Sequence, residues 1–199
     1  MSIKWFLGFF IILIFLSGCI NQQEEQQVAK PCTVSTSDLT AAFSGKGIDI
    51  YSLETYESDK VTKIKDADLD SIKAELSSLK SKCKDEEKVA LLADVYSSLA
   101  DELKQNKLLL IKSEEAELAI TDDSCNLLQF KDDFLALYKD ILPMIALKQS
   151  KLDTLTSKYK DDADIKSLNF EYLGKMEYFA NQDFESMKSS FMALEEVCG

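Results

Sequence analysis

From Cys32 to the C-terminus the chain carries only five residues that break helices readily: Gly45, Gly47, Gly174, Gly199 and Pro143. A sheet-rich domain needs frequent tight turns, and such turns draw heavily on Gly and Pro. Their scarcity predicts long helices. The apolar residues agree, because they recur at steps of three and four, the spacing of one helix face. Leu69, Ile72, Leu76, Leu79 and Cys83 place a helix at about 67–82. Val89, Leu92, Tyr96, Leu99 and Leu103 place a second, from near Asp85 to about Ile120, with room for an interruption near Asn106.

A third stripe runs through Leu127, Phe130, Phe134, Leu137, Ile141, Ile145, Leu152, Leu155 and Tyr159. Pro143 lies in its middle and either kinks or splits that helix, since it removes one backbone bond and crowds the preceding turn. Asp161-Asp162 ends it. Ahead of these helices, Ser37 is expected to cap a short helix over Asp38–Ser44, stopped by Gly45-Lys46-Gly47. The segment 48–65 follows neither period cleanly and is left open. Asp66, Asp68 and Asp70 have the spacing of a calcium loop, but Ser71 and Ser77 stand where such a loop wants Gly and Glu. They read instead as acids at a helix start, where the dipole favours them. Asp70–Lys73, Asp101–Lys104 and Glu171–Lys175 have the spacing of same-helix surface pairs.

In the last region, Ile165, Leu168, Tyr172, Met176 and Phe179 form one stripe, and Phe184, Met187, Phe191, Leu194 and Cys198 form another beyond Asn181-Gln182-Asp183. Read as helix–turn–helix, this stretch resembles one tetratricopeptide repeat at Tyr178, Asp183, Phe184, Phe191 and Leu194. It departs from that pattern at Gly174 and Met187, and no Pro follows. The resemblance implies a helical hairpin. Phe170, Leu173 and Met192 stand off both stripes and are the candidate partner-binding residues, on a hydrophobic groove that would accept a peptide or helix.

The first twenty residues carry a different signal. Lys4 is followed by the apolar run Trp5–Phe15 and then by Leu16-Ser17-Gly18-Cys19. This stretch resembles the lipobox of prokaryotic lipoproteins. The resemblance implies cleavage before Cys19 and attachment of lipid to its sulfur. The alternative, a spanning anchor, suits Trp5–Leu16 poorly: twelve helical residues cover about 18 Å of a hydrocarbon core roughly 30 Å thick. The expected organisation is therefore a signal peptide at 1–18, a lipidated Cys and polar tether at 19–31, and an extracytoplasmic helical domain at 32–199. The tether sequence Asn21–Lys30 spans at most about 35 Å and as a coil nearer 18 Å.

Removing 1–18 takes out Lys4 and no acid, so the net charge moves from −12 to −13. All 23 basic residues are Lys; the chain has no Arg and no His. So acidic a body argues against nucleic acid as a partner, since binding it needs a basic stripe. It also leaves membrane attachment to the lipid. Without His the usual triads, metal sets and neutral-pH bases are missing, and without Arg the bidentate anion clamp. No Gly-rich phosphate loop or GxSxG elbow occurs. No cofactor, metal or catalytic residue is expected, and carboxylates remain the one route to enzymatic work.

Cys32, Cys83, Cys125 and Cys198 are an even set in an exported chain, which reads as two disulfides. Helix geometry selects among the three pairings. If the third helix is antiparallel to a continuous last one, Cys125 and Cys198 are nearly equidistant from the reversal at Asp161-Asp162. If Pro143 and Asn181 each mark a turn, both cysteines still reach the same end. Cys125–Cys198 with Cys32–Cys83 is expected, and Cys83–Cys125 is the competing bond of the solenoid arrangement. The sequence thus predicts an all-α antiparallel bundle or short solenoid of helical hairpins with two disulfides, lipid-anchored on the outer face of a cell membrane. Its expected role is a protein-binding or scaffold module for an envelope protein or peptide, with a small-solute or peptide receptor as the alternative.

Overall fold

A computed structural model describes residues 32–50, 58–120, 123–168 and 171–198, with side chains in the last helix described from Phe184 onward. The described residues form seven α-helices and one 3₁₀ turn, and no strand. The first helix, α1, is Thr36–Ser44, and its cap is Ser35 rather than the expected Ser37. The reason is reciprocity. Asp38 stands three residues after Ser35, so the Ser35 hydroxyl accepts from the Asp38 amide while the Asp38 carboxylate accepts from the Ser35 amide at 2.7 Å. Ser37 has only Thr40 at that distance. Gly47 takes φ 74°, a conformation that favours Gly, and the chain turns there so that Ile48 and Ile50 enter the core. A short α2, Ser58–Thr62, falls in the segment the sequence left open.

Helices α3, Asp66–Lys82, and α4, Glu87–Ala119, follow the predicted stripes. Helix α4 passes unbroken through Asn106, because Asn lowers helix propensity only by tenths of a kcal/mol. Its 33 residues make it about 50 Å long. The two helices are antiparallel, with Asp66–Lys107, Asp70–Lys104, Lys73–Asp101 and Lys80–Asp94 laid out along their seam. This corrects two expected pairs: Asp70, Lys73, Asp101 and Lys104 pair across the seam rather than within a helix. The facing helix puts an acid within reach of each Lys, Asp101 at 2.6 Å from Lys73 and Asp70 at 3.3 Å from Lys104. Glu171–Lys175 lies outside the described side chains.

Beyond a 3₁₀ turn at Ser124–Phe130, helix α5 spans Lys131–Lys158 with Pro143 inside it. The helix is not split there. Pro143 has no amide to give the carbonyl of Lys139, a loss of order 3 kcal/mol in an isolated helix. Ile141 and Ile145 on either side are each 1% exposed, and their packing holds the helix through it. Asp162 caps the short α6, Ala163–Ser167, accepting from the amides of Asp164 and Ile165.

Helix α7, Glu171–Cys198, runs straight through Asn181-Gln182-Asp183. The expected hairpin at those residues, and with it the tetratricopeptide-like arrangement, is absent. Three polar residues without Gly or Pro do not force a turn, and the reversal occurs instead at Asp161-Asp162.

Each long helix packs antiparallel on its neighbour in sequence: α4 on α3, α5 on α4, α7 on α5. Helix α1 lies on α3 and α4, and the 3₁₀ turn touches α4, α5 and α7. Leu39, Phe43, Ile72, Leu76, Leu92, Tyr96, Leu99, Leu152, Leu155 and Ile165 are all buried. Phe43 meets Tyr96 edge-on with ring centres 6.0 Å apart. A core cluster joins Ala116, Phe134 and Phe191, with Leu109, Leu127, Leu128, Phe130 and Met187 around it. Cys125 is bonded to Cys198 beside that cluster, as the geometry predicts. Cys32 and Cys83 are each disulfide-bonded as well.

Three acids that organise helix starts have carboxyls held below the usual range. Asp38 is held by the hydroxyl and amide of Ser35, Asp66 by a hydrogen bond from Lys107, and Asp162 by one from Lys88 together with its cap amides. In the unfolded chain such carboxyls titrate at about 3.9. The unfolded state therefore takes up their protons first. The stability these acids confer is complete above about pH 4 and is lost as pH falls through their lower folded values. The urea midpoint should fall on the acid side of pH 4, and Asp162→Asn should remove part of that fall. An unchanged acid slope in Asp162→Asn would refute the assignment.

Candidate functional site

The antiparallel contact of α5 and α7 leaves a cleft along their seam, with a volume of about 690 Å³. On α5 it is lined by Leu135, Lys139, Leu142, Pro143 and Ala146, which recur at one-turn steps and so share a face. On α7 it is lined by Phe184 and Lys188, one turn apart. Phe184 leans on Tyr138 with ring centres 5.5 Å apart, which fixes the floor of the cleft. The Lys188 ammonium sits 6.0 Å from the centre of the Phe184 ring, at the outer limit of a cation–π contact, and 3.9 Å from Glu185. Among the described residues Lys139 has no acidic partner and no carboxylate lines the cleft. Leu147, beside Ala146, is 54% exposed, and Met192, one turn past Lys188, is 57% exposed.

The backbone at this site is unusual in one respect. Both walls are helices whose amides and carbonyls are bonded internally, except that the Lys139 carbonyl receives no amide from Pro143. The cleft therefore offers apolar side chains, two ammonium groups and little backbone to an occupant.

The sequence-predicted residues are distributed unevenly against this geometry. Cys19 and Phe170 lie outside the described residues, and Leu173 is in α7 but its side chain is outside them. Met192 is exposed on the cleft's flank rather than in its lining. The α5 wall was missed. Its signal was present: Leu135 and Leu142 are seven apart and belong to neither end of the Phe134–Ile141–Ile145 stripe. Counting off-stripe apolar residues on α5, as on the last region, identifies them.

A second cluster has chemistry but no access. The Lys148 ammonium donates to a Glu102 carboxylate oxygen between α5 and α4, and both side chains are 0% exposed. Burial raises the Glu102 carboxyl above its ordinary value, against the pull of the Lys148 charge. The other Glu102 oxygen has no hydrogen-bond partner among the described residues. Enclosed on all sides, this pair belongs to the α4–α5 seam and cannot meet a substrate. No group of three potential metal ligands occurs among the described residues.

Protein-family models, curated proteins and solved structures were all compared with the chain. None matches. The α5–α7 cleft must therefore be interpreted from its own chemistry: a long, open, mostly apolar surface with two lysines.

Proposed function

We propose that this protein is a lipid-anchored, extracytoplasmic binding module that docks an envelope protein or peptide along the seam of α5 and α7. The observation that carries the proposal is the cleft itself. Its open form and apolar lining of Leu135, Leu142, Pro143, Ala146 and Phe184 suit a macromolecular segment. A small solute would call for an enclosed site that buries most of its surface. The chemistry of the chain points the same way, since it has neither His nor Arg and the one fully buried charged pair among the described residues is sealed in the α4–α5 seam.

Location rests on two supports. The Leu16–Cys19 stretch with its apolar approach is read as a lipidation signal, and the two disulfides favour an oxidising compartment. No helix among the described residues is long and apolar enough to cross a membrane. A lipid at Cys19 would hold the domain by its tether, with stable anchoring achieved by more than one acyl chain. Cys19→Ser should lose the lipid mass at its N-terminus and leave the membrane fraction. An unlipidated wild-type N-terminus in native membranes would refute the anchor.

Docking is tested separately. Ala146 is exposed and small, so Ala146→Trp fills the cleft without touching the core. Pull-down of the partner from native membranes should fall about tenfold while the unfolding midpoint stays put. Undiminished capture by Ala146→Trp would sink the cleft as the docking surface.

A further inference from the structure

We infer that the occupant of the α5–α7 cleft is an amphipathic helix whose apolar stripe is flanked by carboxylates, an inference that rests on the docking role proposed above. The first argument is shape. From Leu135 to Ala146 the cleft follows three turns of α5, about 16 Å. An apolar stripe at i, i+4, i+7 and i+11 on a partner helix covers that length. An added β-strand is disfavoured because both walls are helices and present no ladder of free amides.

The second argument is charge. Among the described residues the cleft is lined by Lys139 and Lys188 and by no carboxylate, the nearest described acid being Glu185, 3.9 Å from the Lys188 ammonium and outside the lining. Elsewhere lysines are engaged by carboxylates across helix seams: Lys73, Lys80, Lys88, Lys107, Lys131 and Lys158 all pair this way. Against this stands the repulsion between an acidic partner and the −12 chain. Screening decides the balance. At physiological salt the Debye length is about 8 Å, so the distant acids are muted while contacts with Lys139 and Lys188 are not. A partner helix with basic flanks would meet those two ammonium groups, with Glu185 beside Lys188 the nearest described acid to offset them.

The test places a photo-crosslinking amino acid at Ala146 in the full-length protein in its own membranes and sequences the captured peptide. The expected adduct is a helical segment of another protein with apolar residues at three- and four-residue steps and Asp or Glu beside them. Lys139→Glu/Lys188→Glu should reduce its yield about tenfold, whereas Lys139→Arg/Lys188→Arg should retain it. Both lysines are exposed, so circular dichroism should report an unchanged fold in either variant. No adduct at Ala146, with capture instead from a crosslinker on the exposed face of α3, overturns the docking role and this inference together. An adduct whose segment is neutral or basic, or whose yield survives the double Glu variant, overturns the partner class alone. An adduct to a second copy of this chain or to lipid likewise replaces the proposed partner while keeping the surface.

Discussion

Lys148→Met is expected to lower the stability of the folded chain by about 3–5 kcal/mol at pH 8, because it strands the Glu102 carboxylate between α4 and α5. Domains of this kind have roughly 5–15 kcal/mol in total, so the variant should be severely weakened. The same substitution made together with Glu102→Met should recover most of that loss or exceed the wild type, since an apolar pair of similar volume avoids the desolvation of two charges. The single variant should also be pH-sensitive in a defined sense. Burial already raises the Glu102 carboxyl, and loss of the Lys148 charge raises it further. A raised folded value confers stability that is complete below the unfolded value of about 4.3 and is lost as pH rises through the folded one. The gap between wild type and Lys148→Met should therefore narrow as pH falls from 8 toward 5. Urea midpoints of both singles and the double, at several pH values, form the cycle. Additive losses in the double variant would show that the two groups do not depend on each other.

That pair also marks where the sequence is hardest to read. The third stripe jumps seven residues from Ile145 to Leu152, and the missing slot is Lys148. Periodicity treats a Lys there as an interruption, because burial of a charge is recognisable only once its partner on another helix is known. The same limit explains the seam between α3 and α4. Asp70–Lys73 and Asp101–Lys104 are correctly spaced for one helix, yet a facing helix rearranges all four into cross-helix pairs. The stripes of α3, α4 and α5 were legible because one face of each is buried, and burial imposes the period. The end of α5 was legible because Asp162 caps the next helix, α6. The continuity of α7 was not, since polar residues at Asn181–Asp183 are compatible with a turn or with a helix, and only packing chooses. The candidate cleft was not legible as such: Phe184 reads as part of an inward stripe, and its place in the lining needs the antiparallel register that brings Leu135–Ala146 opposite Phe184 and Lys188.

Register at that seam is held by a bond whose removal should be felt at one end of the molecule first. Cys125 and Cys198 are 73 residues apart, and in the chain-entropy account a loop of that size is worth about 4 kcal/mol through the unfolded state. Helix α7 packs on α5 and the 3₁₀ turn, and of its described side chains only Phe191 is fully buried. Phe191 meets Phe134 at 6.1 Å between ring centres, Phe184 meets Tyr138, and Lys131 pairs with Glu195 in an exposed contact of small worth. By contrast α4 carries Leu92, Val95, Tyr96, Leu99 and Ala100 at 0–1% exposure and is covered from several sides. Cys125→Ala/Cys198→Ala should therefore lose about 4 kcal/mol overall, and its α7 amides should exchange with solvent well before those of α4. Because α7 forms one wall of the cleft, partner capture should fall in the same variant even where most molecules remain folded. Hydrogen exchange read by mass spectrometry separates the two effects. A loss below about 1 kcal/mol would remove the chain-entropy account. Protection of α7 equal to that of α4 would show that packing against α5, without the disulfide, is enough to hold the cleft together.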